Sequence, residues 1–136
     1  MTNAKNYDDD SIFVAALEDC TLPKQHFNHR GHLRLAYLYL RDYGFAEAMN
    51  RIRETIRAYA TSLGAADKYH ETITALFMSL ISERMTDRDQ GWREFIDANP
   101  DLSDKDIIRQ YLTDDVLADP RAKTEIVFPS RFASAA

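Results

Sequence analysis

The chain has 136 residues, a formal net charge of −5 and an isoelectric point near 5.3. That length fits one domain able to bury a core without staples, and a lone cysteine, Cys20, excludes an internal disulfide. The acidic balance argues against general nucleic-acid binding, which needs a basic face; no apolar run is long enough to span a membrane.

The stretch from Met1 to Asp10 is polar and acidic, without the basic start and apolar run of a signal peptide. A cytoplasmic protein is expected. Four Gly and four Pro in the whole chain suit long helices better than a sheet. The expected fold is all-α: a single domain over 1–136, with about five main helices, an extended C-terminal tail, and fraying over 1–8 and 130–136.

The first helix is expected from about Asp10 to Cys20, with Asp8, Asp9 and Asp10 supplying a cap and favourable charge at its positive end. Ile12, Phe13, Ala16 and Leu17 form its apolar stripe, and Thr21-Leu22-Pro23 breaks it. The second starts near Asn28, a candidate N-cap, or a few residues earlier, and continues to Tyr43, ending at Gly44; from Leu33 to Leu40 it is apolar or amphipathic on nearly every side, which marks a central helix. The third runs from Phe45 to Leu63, with Phe45, Met49, Ile52, Ile56, Tyr59 and Leu63 on one face, and stops at Gly64. The fourth is expected from about Ala66 to Met85; it carries no charge from Thr72 to Ser82 and is the second central helix. A fifth element holds Trp92, Phe95 and Ile96 and ends before Pro100. Ser103 is expected to cap a shorter helix through Leu112, Asp114 to Ala118 to add a turn, and Thr124 to Phe132 to be extended, with Ile126, Val127 and Phe128 across the bundle.

Three of the four histidines recur at every third position, His26, His29 and His32; the fourth is His70. Residues three or four apart share a helical face, so His29 and His32 continue the stripe of Leu33, Ala36, Tyr37 and Leu40 toward its N-terminal end. His70 does the same for Ile73, Thr74, Phe77 and Ile81. An i, i+3 histidine pair joined by a third imidazole gives a three-histidine set with an open coordination position, the pattern of a reactive metal centre. With Glu71 as a fourth ligand, the mixed nitrogen and oxygen set suits Zn, Fe or Mn; Glu71 is otherwise a candidate catalytic acid/base or a partner that orients a ligating histidine.

The leading expectation is a metal-binding protein, and an enzyme if the centre is reactive, with Tyr37 and Tyr69 orienting or contacting a small ligand and Arg34 and Thr74 as further ligand contacts; the alternative is a metal-free pocket holding a small anionic or aromatic ligand through the same histidines, Arg30 and Arg34. In the third reading the histidines only stabilise the core of an interaction protein. Oligomeric state is left open. Arg30, Arg34 and Arg41 share one helical side and suit either a solvated flank or an acidic partner. The Cys20 and His26 pair is too weak a signal for a nucleophile, and the zincin motif fails because position 74 is Thr. Gly31 costs a helix about 1 kcal/mol relative to Ala; it marks either a close backbone approach or a later helix start.

Phe27-Asn28-His29-Arg30-Gly31-His32-Leu33-Arg34-Leu35-Ala36 and Lys68-Tyr69-His70-Glu71-Thr72-Ile73-Thr74 resemble the paired signatures of a small, mostly uncharacterised bacterial protein family with F-x-H-x-x-H-L-x-x-A and Y-H-E-T segments. Gln110-Tyr111-Leu112 and Leu117 to Ala122 are similar to that family's C-terminal region, so the resemblance runs from about Leu22 to Val127. It implies that His29, His32, His70 and Glu71 are the functional positions and that His26 is incidental. It brings no reaction with it.

Overall fold

The computed structural model describes residues 5–87 and 89–127. Among them there is no β-strand, and the fold is all-α. Six α-helices run in order: α1 (Asp10–Glu18), α2 (His29–Tyr43), α3 (Phe45–Ser62), α4 (Glu71–Arg84), α5 (Trp92–Ala98) and α6 (Asp114–Ala118), with 3₁₀ turns between them. No helix of the described residues is long and apolar enough to cross a membrane.

The helix starts follow from capping chemistry. Asp9 caps α1 by accepting from the Ile12 amide, and Asn28 caps α2 by accepting from the Gly31 amide at 3.0 Å. Gly44, at φ +79, lets α2 turn directly into α3, a backbone conformation that favours glycine.

Helix α2 is central, packing against α3, α4 and α5. It buries Leu33, Leu35, Ala36, Tyr37, Leu38, Tyr39 and Leu40, as expected of a helix apolar all round. Helix α4 buries Ala75, Leu76, Met78, Leu80 and Ile81 beside it. Three buried tyrosines keep their hydroxyls satisfied, as burial requires. Tyr37 donates to the Gln90 carbonyl, Tyr39 bonds Thr55 and the Glu18 carboxylate, and Tyr59 donates to the Leu22 carbonyl at 2.6 Å. Each ties the core to a neighbouring loop or helix.

Several expectations are corrected. The α3 stripe is buried only from Met49 to Tyr59; Phe45, the first residue of the helix, and Leu63, its C-cap, are exposed. Helix α4 does not begin at Ala66. Ala66–Lys68 is a separate 3₁₀ turn, and His70 stands outside the helix as its N-cap, in an extended conformation. Ser103 ends one 3₁₀ turn, and Asp104, whose side chain accepts from the Asp106 amide, caps the next one, over Lys105–Gln110. The expected tail is described only to Val127. Thr72 holds it there, donating to the Glu125 carbonyl and accepting from the Val127 amide, while Ile126 is exposed and Phe128 lies outside the described residues.

Candidate ligand-binding site

Two adjoining cavities open along the seam of α2, α3 and α4. The first has a volume of about 520 Å³. His29, His32, Leu33 and Ala36 of α2 line it, with Ile52 and Ile56 of α3 and Ile73, Phe77 and Met78 of α4; Lys68 and Lys105 also border it. The second, about 290 Å³, shares Phe27, His32, Ile56, Lys68, Ile73 and Thr74 with the first. It adds Lys24, Tyr59, Ala60, Leu63, Ala65 and His70.

Local sequence explains the imidazole positions. Because Asn28 takes the cap, His29 and His32 fall on the first turn of α2 with their side chains free of that duty. The His29 Nε2 meets the Leu102 carbonyl at 2.8 Å, and the His32 Nδ1 meets the Asn28 carbonyl at 3.0 Å. A carbonyl only accepts, so each of those nitrogens carries the hydrogen. His32 stacks on Phe27 with ring centroids 4.0 Å apart, and His29 meets the edge of Phe77 at 5.1 Å. Protein packed around the His32 ring lowers its pKa, although the residue keeps an exposed edge; the Asn28 carbonyl opposes the shift, and His29 and Lys105 add to it.

Gly31 is what lets this corner close. A Cβ there would lie 2.9 Å from the His26 carbonyl oxygen and 3.3 Å from the Phe27 ring. Of the two readings of this glycine, the close backbone approach holds, and α2 begins at His29 as well.

His70 is used differently. Its Nδ1 accepts the Ile73 amide at 3.2 Å, so the neutral ring carries its hydrogen on Nε2, which is buried and has no hydrogen-bond partner among the described residues. Burial lowers its pKa, with Lys123 adding to the effect. His70 lines the second cavity, His29 the first, and only His32 lines both. Among the described residues no three His, Cys, Asp or Glu side chains group so as to hold a metal ion. The set of His29, His32, His70 and Glu71 expected from spacing is therefore not assembled, because the later start of α4 turns His70 into a cap.

Glu71 faces away from both cavities. Arg53 grips its carboxylate with two nitrogens, the closest contact being 2.7 Å, and the Tyr69 hydroxyl donates to it at 2.5 Å. Burial pushes the Glu71 pKa up, but Arg53, Tyr69 and Arg57 outweigh it and hold the carboxyl below its ordinary range. Burial and the Glu71 carboxylate raise the Tyr69 pKa. This cluster clamps α3 to the start of α4.

The other expected contacts divide. Thr74 lines both cavities, its hydroxyl donating to the His70 carbonyl. Tyr69 reaches the second cavity and the clamp. Tyr37 is fully buried in the core. Arg34 is engaged on another side of α2, where it binds Asp10 and the Tyr7 and Asp8 carbonyls and lies 4.2 Å over the Phe13 ring. Arg30 lies 5.6 Å over Trp92, beside Arg34 in a separate cleft. Phe27, Lys68 and Lys105 were not among the expected contacts. Lys68 stands two residues before His70, a signal the sequence held; Lys105 comes from a distant turn and had none.

The chain matches no protein-family model, no curated protein and no solved structure.

Proposed function

We propose that this protein is a metal-free binding module for a small ligand with an apolar body and an anionic group, held between α2, α3 and α4. One observation carries the reading. In a chain of net charge −5, neither cavity is lined by a single Asp or Glu, while Lys24, Lys68 and Lys105 border them. Apolar walls with a few convergent polar groups are the usual composition of a ligand pocket, and about 520 Å³ falls within the usual range of roughly 300–1,000 Å³. The leucine, isoleucine and phenylalanine walls take the apolar body, and the ammonium groups take the anion. With its Nδ1 hydrogen given to the Asn28 carbonyl, the neutral form of His32 offers a lone pair at Nε2 to a ligand hydroxyl.

Thermal unfolding with benzoate, phenylacetate and hexanoate, each beside its neutral alcohol, tests the reading. A ligand selective for the folded state at a hundred times its Kd adds about 2.7 kcal/mol of stability. The acids are expected to raise Tm and the alcohols to have far smaller effects, with the acid response lost in a Lys68→Glu/Lys105→Glu variant. Absence of stabilisation by every acid overturns the proposal.

A further inference from the structure

The second cavity is small for a site of its own. Its volume of about 290 Å³ lies at the bottom of the range for ligand pockets. Six residues of its wall also line the first cavity, so the two cavities lie side by side along a shared wall that includes the stacked rings of Phe27 and His32. The polar groups are unevenly shared. Asn28, His29 and Lys105 belong to the first cavity alone; the second alone has Lys24, Tyr69 and His70, while Tyr59, Ala60, Leu63 and Ala65 give it a mainly apolar end.

Resting on the proposed function, we infer that both cavities receive one elongated ligand, an unbranched alkyl carboxylate. Its carboxylate lies at the Lys105 and His29 end, and its chain passes the Phe27–His32 stack to reach Tyr59 and Ala60. An aromatic acid of benzoate size fills the first cavity only. A flexible chain turns past the shared wall and removes more apolar surface from water, and affinity scales with that surface.

Calorimetric titration of the full chain with n-alkanoates from butanoate to dodecanoate reads this out. Affinity is expected to rise by about fourfold per buried methylene through the medium-chain acids, and to level off once the second cavity is full. Ala60→Trp, which takes up space in the second cavity, is expected to stop the rise at a shorter chain. Ala65→Leu, a smaller addition to the same end, should shorten the optimum by less, and serves if the tryptophan is not tolerated. Short acids that bind as tightly as long ones, or a chain-length optimum unmoved in both variants, overturn the shared-ligand inference while the proposed function stands. If no acid binds at all, the proposed function itself has failed.

Discussion

The starts of α2 and α4 carry similar sequence, a histidine-bearing segment leading into an apolar helix, and the fold uses them differently. At α2 the cap is Asn28, so His29 and His32 sit inside the helix with their rings along a cavity. At α4 the cap is His70 itself, and one ring nitrogen is committed to the Ile73 amide. Glu71, next in sequence, is then drawn to Arg53 and Tyr69 instead of to the histidines. The histidine outside its helix accepts a backbone amide, whereas the two inside theirs donate to backbone carbonyls and line the first cavity.

Perturbing the α4 start should therefore cost stability, and perturbing the α2 start should cost binding. The largest stability effect is expected for Arg53→Ala, which leaves the buried Glu71 carboxylate with the Tyr69 hydroxyl and the charge of Arg57 but without its ion-pair partner. Removing one partner of a buried pair costs about 3–5 kcal/mol. The side chain of Arg53 is 30% exposed and that of Glu71 8%, and solvent screening of the arginine reduces the expected loss to about 2–3 kcal/mol. Urea unfolding measures it, and alkanoate affinity should stay within twofold of the parent.

Gly31→Ala is next. Alanine favours a helix by about 1 kcal/mol, but its Cβ would press on the His26 carbonyl at 2.9 Å, and backbone has little room to yield. Forcing that contact costs about 1–3 kcal/mol. A lower Tm with weakened carboxylate binding is expected, since Phe27 moves with the same loop; a more stable variant would refute the close packing of this corner.

His70→Ala should lose about 1 kcal/mol as a lost cap, and His70→Asn should recover most of it, because its side-chain oxygen accepts the same amide. Equal losses in the two variants would show that the ring's packing, not the cap, sets the stability.

The pH dependence is smaller. His32 and His70 both have folded-state pKa values below the ordinary 6.5, so the unfolded chain binds more protons in that window. Stability from these groups is complete above about pH 6.5 and declines as the pH falls through their folded values. In His70→Asn the decline between pH 6.5 and 5 should be shallower; an unchanged slope would assign it to other groups.

The smallest expected effect is that of a chelator, which should leave Tm unchanged. Elemental analysis of untagged protein purified without chelator should find no stoichiometric metal. Near-stoichiometric metal that disappears in a His29→Ala/His70→Ala variant would restore the three-histidine centre and overturn the metal-free proposal.

Local chemistry made much of this legible from sequence. The all-α fold, the central positions of α2 and α4, Asn28 as a cap and the Gly44 corner follow from hydrophobic period, sparse glycine and proline, and side chains that satisfy nearby backbone groups. Even the convergence of His29, His32 and Thr74 on one cavity follows from helical spacing. What spacing could not supply is which groups compete for a side chain. Glu71 lies one residue from His70, yet Arg53, eighteen positions earlier, takes it, because a buried carboxylate is lowest in energy where charge and hydrogen bonds are both matched. Arg34 was similarly taken by Asp10 and Tyr37 by the Gln90 carbonyl. Lys105 reaches the cavity only because a later turn packs against the start of α2. Periodicity determined which faces are buried; the tertiary structure decided which polar groups were left over for a ligand, since the partners that took Glu71, Arg34 and Tyr37, namely Arg53, Asp10 and the Gln90 carbonyl, came from segments distant in the chain.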